Sequence, residues 1–222
     1  MAGTIKLTAQ DGHRLDAYEA VPAGRARGGV VVVQEIFGVN GHIRGVADRY
    51  AADGYHAIAP ALFDRVRPGI ELGYADADIA EGRKIRGELT FDQALADVDA
   101  AKGALSGSGK VGIVGYCWGG TVTWLAAARL DGFSAASSYY GGGIGQFAAE
   151  HPRCPIQCHF GEKDHAIPLQ EVEALRRANS GVEVFMYPAG HGFNCEARAS
   201  YDPDAAALAR QRTLDFFSKH IG

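Results

Sequence analysis

Lys110-Val111-Gly112-Ile113-Val114-Gly115-Tyr116-Cys117-Trp118-Gly119-Gly120 passes from an apolar, β-branched run into Gly-x-Cys-x-Gly. The segment after it, Thr121-Val122-Thr123-Trp124-Leu125-Ala126-Ala127-Ala128-Arg129, reads as a helix. Strand, sharp turn and helix is the context of a nucleophile elbow, with cysteine in place of the commoner serine. Gly115 and Gly119 remove side chains that would collide with so tight a turn. A helix starting at that point aims its free N–H groups and positive dipole end at the sulfur, which favours thiolate and a later oxyanion. The competing reading of Cys117 is a small buried apolar residue after a glycine-rich turn.

Outward from this run the chain alternates strand and helix. Val30 to Val33 is a continuous apolar stretch of the kind buried on both faces of a parallel sheet. It leads to Gln34-Glu35-Ile36-Phe37-Gly38, then to a helix over 42–53 closed by Gly54. Residues 55–60 read as the next strand. Residues 61–89 are the least regular, with a short helix near 76–86. Thr90 and Gln93 form a capping box for a helix running to about residue 105. Strands follow at 133–139, 155–160 and 182–187, with a helix at 169–178 between the last two. Two strands over 4–9 and 14–20, joined at Asp11-Gly12, precede the alternating part. Asp202 and Pro203 start a last helix, whose inward face is expected to carry Ala207, Leu208, Leu214 and Phe217. The expected fold is a single α/β domain over residues 1–222, a mostly parallel central sheet flanked by helices.

The composition narrows the function. Hydrophobic residues make up 47% of the 222 and charged residues 22%, ordinary values for a globular protein. A net charge of −4 without a basic run gives no electrostatic case for nucleic acid or an anionic membrane. No apolar window approaches a membrane span, so a cytoplasmic location is expected. Cys154 and Cys158 are spaced wrongly for a redox Cys-x-x-Cys pair and read as core or strand residues. Neither a metal site nor a cofactor is expected.

In an open α/β sheet, chemistry gathers at the carboxyl ends of the strands. Four candidate strands end in reactive residues: Glu35, Cys117, Asp164 after Gly161-Glu162-Lys163, and His191 after Pro188-Ala189-Gly190. Nucleophile, acid and histidine stand in the chain order of an α/β-hydrolase triad. A cysteine nucleophile also restricts the substrate. Thiolate leaves a tetrahedral intermediate more readily than an ordinary alkoxide does, so an alkyl ester collapses backwards. An enol ester or enol-lactone expels a stabilised enolate instead.

Taken with Gln34-Glu35-Ile36-Phe37-Gly38-Val39-Asn40, Gly161-Glu162-Lys163-Asp164-His165 and Ala189-Gly190-His191-Gly192-Phe193, the cysteine motif resembles the dienelactone hydrolase family. The likeness runs from about Ile5 to Phe217. It implies a single α/β-hydrolase domain with Cys117, Asp164 and His191 as triad. It also implies that Glu35 helps activate the thiol when substrate binds, with backbone N–H groups of Ile36 and Trp118 as the oxyanion hole. The implied activity is hydrolysis of small activated esters or enol-lactones, as in conversion of a dienelactone to maleylacetate. Family members bind the substrate carboxylate with two arginines. Cys195 stands four residues past His191, where the second belongs, and Ile79 aligns with the first. Arg83, Arg86 and Arg198 are the substitute candidates. A small ester or lactone is the only partner expected beyond self-association, as a monomer or small homo-oligomer. A thiol esterase of other specificity, or a redox-responsive protein built on Cys117, are the alternatives.

Overall fold

In the computed structural model, which describes residues 1–222, eight strands form one sheet: β1 (Ala2–Thr8), β2 (Arg14–Ala20), β3 (Gly29–Val33), β4 (His56–Pro60), β5 (Val111–Tyr116), β6 (Phe133–Tyr139), β7 (Ile156–Gly161) and β8 (Glu183–Tyr187). Their order across the sheet is β1-β2-β4-β3-β5-β6-β7-β8. β1 pairs antiparallel with β2, and β2 antiparallel with β4; the remaining neighbours are parallel. The edge hairpin alternates in burial, placing Leu7 opposite Leu15 against the core. β3 and β5 are buried along their whole length, as strands covered on both faces must be.

Six α-helices cover the sheet: α1 (Gly41–Ala52), α2 (Asp76–Gly87), α3 (Phe91–Ala104), α4 (Trp118–Arg129), α5 (Leu169–Ala178) and α6 (Pro203–His220). Their starts follow from local chemistry. The Asn40 side chain accepts from the Ile43 N–H, Thr90 and Gln93 bond reciprocally, and Asp202 caps α6 ahead of Pro203. α1 and α6 meet on one face through Tyr50, Tyr55 and Phe217, and α3 packs beside α4. No helix is long and apolar enough to cross a membrane.

The inward face of α6 differs from the expected one. Leu208 is 47% exposed and Ala207 is also exposed. Phe217 is buried as expected and Leu214 partly so, but Ala205, Ala206, Ala209, Thr213 and Phe216 take the other inward positions. The helix is rotated so that alanines allow close approach to the sheet, and Thr213 turns inward. Its hydroxyl meets Ser137, Tyr139 and Gln157 in a buried polar cluster, satisfying groups that would otherwise be costly to bury.

The strand order positions the site. From β3 the chain crosses to β4 on one side and returns to β5 on the other. Diverging connections at this switch point open a crevice at the carboxyl ends of β3 and β5. Residues 34–37 and Cys117 emerge there.

Candidate active site

Cys117 joins β5 to α4 with φ 54° and ψ −122°, a left-handed conformation that costs a non-glycine residue about 1–3 kcal/mol. Its N–H donates to the Tyr139 carbonyl at 3.0 Å, and its own carbonyl accepts from Gly120 N–H at 2.9 Å as α4 begins. Gly119 allows the elbow to sit against β3. A Cβ there would lie 2.3 Å from the Gln34 carbonyl oxygen and 2.6 Å from that of Val33.

Asp164 and His191 arrive from the loops after β7 and β8. One oxygen of the buried Asp164 carboxylate accepts from Ala166 N–H at 2.8 Å, while the other lies 2.7 Å from His191 Nδ1. With Nδ1–H directed at the carboxylate, Nε2 is left facing Cys117 Sγ at 3.2 Å. The Ser200 hydroxyl donates to the His191 carbonyl at 2.6 Å, and the Tyr140 ring stands edge-on to the imidazole. Burial opposes a charge on His191, but its hydrogen bonds to Asp164 and Cys117 outweigh that penalty and raise its pKa to about 10. His165 is exposed and takes no part.

The backbone N–H groups of Ile36 and Trp118 have no hydrogen-bond acceptor in the protein, and both residues line the cavity over Cys117. Their orientation is held from behind. Gln34 donates from Nε2 to the Glu35 carbonyl at 3.3 Å and accepts from Leu62 N–H at 3.1 Å. That fixes the peptide plane to which the Ile36 N–H belongs. On the other side, α2 comes so close that a Cβ on Gly82 would lie 2.1 Å from the Ile36 carbonyl oxygen. Gln34 entered the sequence reading only as part of the motif 34–40 and Gly82 not at all, because their roles depend on contacts between distant segments.

Glu35 is 1% exposed. It makes no hydrogen bond to Cys117; its Oε1 accepts from Arg198 at 3.2 Å. Burial raises its pKa, and the positive charge of Arg198 offsets part of that effect. The Arg198 guanidinium also lies over the Phe37 ring at 5.8 Å. Cys195 is buried rather than lining the cavity.

The cavity holds about 270 Å³. Cys117, His191, Ile36 and Trp118 line it, together with Ile79, Arg83, Arg86 and Arg198. All three candidate arginines therefore border the same space as the sulfur. Arg83 and Arg86 come from α2, in the segment between residues 61 and 89 that the sequence left least defined.

The dienelactone hydrolase family model matches residues 15–221. The chain belongs to that family. It is 33% identical over 226 residues to a carboxymethylenebutenolidase of Pseudomonas putida, covering 96% of this chain and 95% of that one. With a protein of Synechocystis sp. named "Putative carboxymethylenebutenolidase" it shares 37% over 212 residues, 86% of each chain. The crystal structure of a "Putative Dienelactone Hydrolase" from Klebsiella pneumoniae superposes with a TM-score of 0.89 at 33% identity, covering 99% of both chains. This membership makes the protein an α/β-hydrolase-fold hydrolase.

Proposed function

We propose that the protein hydrolyses small, anionic activated esters or enol-lactones through a Cys117–His191–Asp164 triad. The observation that carries this reading is the unbroken chain from Asp164 Oδ2 through the imidazole to Cys117 Sγ, 2.7 and 3.2 Å, at the base of an arginine-lined cavity. In the proposed reaction the sulfur attacks the carbonyl carbon while its proton is held on His191 Nε2, whose raised pKa favours the imidazolium. The N–H groups of Ile36 and Trp118 stabilise the oxyanion, each worth a few kcal/mol in such sites. The C–O bond then breaks, and the enolate leaves with the proton held by His191. Water, deprotonated by the same imidazole, cleaves the thioester and restores the thiol. Asp164 holds the tautomer and stabilises the imidazolium throughout.

Three guanidinium groups favour a substrate bearing carboxylate, since arginine matches carboxylate oxygens bidentately. The dienelactone carboxylate meets that description, and so does the enolate leaving-group requirement of a cysteine nucleophile. Glu35, one bond from the Ile36 peptide and paired to Arg198, would change partner as the substrate anion takes that guanidinium.

Steady-state hydrolysis of a dienelactone, followed by its ultraviolet absorbance and compared with p-nitrophenyl acetate, tests the reading. Cys117→Ala and His191→Ala are each expected to abolish turnover of both while keeping the native circular dichroism. Comparable activity in either folded variant would reject the triad. Activity on the aryl ester alone would retain the triad and discard the anionic lactone.

A further inference from the structure

Around the buried Glu35, three side chains from separate segments converge. Glu35 follows β3, His42 opens α1 and Cys195 lies in the loop after His191. A carboxylate oxygen, a ring nitrogen and the sulfur lie within 4.8 Å of one another. Two of their polar atoms are buried without a hydrogen-bond partner: Glu35 Oε2, on a side chain 1% exposed, and His42 Nε2. Unpaired buried polar atoms are costly, and the Tyr74 hydroxyl, which accepts from Asn40, is the other polar group that faces Glu35 and Cys195.

From this convergence we infer that Glu35, His42 and Cys195 form a binding site for a single Zn²⁺ ion. One thiol, one imidazole and one carboxylate suit a borderline-soft cation that accepts sulfur, nitrogen and oxygen in a four-coordinate shell. Ca²⁺ and Mg²⁺ prefer sets made of oxygen alone. Zinc entering the site would displace the Cys195 thiol proton to solvent, giving thiolate, carboxylate and neutral imidazole around the ion. Arg198 occupies Glu35 Oε1 and leaves Oε2 for the metal. Its positive charge keeps the affinity below that of zinc sites that hold small domains together. The inference does not depend on the hydrolytic reading.

Cys117 and His191 are themselves a thiol and an imidazole 3.2 Å apart, so zinc inhibition of the native protein would not locate the ion. The test therefore uses the chelator-treated Cys117→Ala protein. We expect it to bind one Zn²⁺ per chain by competition with a chromophoric chelator. Co²⁺ substitution should produce a thiolate-to-cobalt charge-transfer band. Adding His42→Gln should weaken binding on the order of 10-fold or more, and adding Cys195→Ser should remove the band. Circular dichroism of each variant separates lost ligation from lost fold, and the His42→Gln change at a partly exposed helix start stands if Cys195→Ser does not fold. No stoichiometric zinc in Cys117→Ala, or binding indifferent to both folded variants, would overturn the site and leave those polar atoms to ordered water.

Discussion

Asp164 shows how much a single residue controls. Its carboxylate fixes the His191 tautomer and raises its pKa, while burial acts the other way. Asp164→Asn offers no charge and permits the wrong tautomer, and kcat is expected to fall roughly 10³- to 10⁴-fold. The same substitution has a thermodynamic signature. A histidine whose folded pKa is raised contributes stability that is fully present below its unfolded value of 6.5 and is lost as pH climbs through about 10. The melting temperatures of wild type and Asp164→Asn should therefore differ most in mildly acidic buffer and converge as pH rises towards 10. A gap that widens with pH would contradict the raised pKa. Arg198 can be tested through specificity. Arg198→Met removes one charge-assisted contact, worth about 1.5–3 kcal/mol, so kcat/KM should fall roughly 10- to 100-fold more for a carboxylate-bearing ester than for a neutral one. An equal fall for both would assign Arg198 to Glu35 alone.

At the scale of elements, α2 is both a wall of the cavity and a support for its chemistry. Gly82 presses it against the Ile36 carbonyl, and Arg83 and Arg86 project from the same turn into the cavity. Gly82→Ala must push the helix or the 36–37 peptide aside, an overpacking cost of about 1–3 kcal/mol. Because Ile36 carries a proposed oxyanion donor, the expected kinetic result is a lower kcat with KM little changed. A change confined to thermal stability would show that the helix packs there without setting the donor. Most helices were legible because their signals are local: Thr90 with Gln93, Gly54 past the end of α1, and Asp202 followed by Pro203 each act within one turn. The inward face of α6 was legible only in part, at Phe217 and Leu214. Leu208 fits an apolar stripe, but the sheet beneath offers Ser137, Tyr139 and Gln157, and Thr213 answers those hydroxyls and that amide. Hydrophobic periodicity cannot anticipate a polar partner supplied by another segment.

Across the whole molecule, the strand order turns separate motifs into one site. Cys117, Asp164 and His191 were readable in sequence because each follows a strand, and parallel strands present their carboxyl ends together. The position of β3 between β4 and β5 was not readable, nor was Arg198 as partner of Glu35, since three residues separate it from the family position that Cys195 fills. Glu35 and His42 are seven residues apart and Cys195 lies 153 residues beyond His42, and only the packing of α1 and the loop after His191 against β3 brings them together. The central claim is that acyl transfer passes through Cys117. Acid-quenching the enzyme during turnover of an activated ester, followed by peptide mass spectrometry, tests it directly. An acyl group on the Cys117 peptide, absent in Cys117→Ala, is the predicted result. Undiminished turnover with no acyl group on Cys117, or with the adduct on another residue, would contradict it.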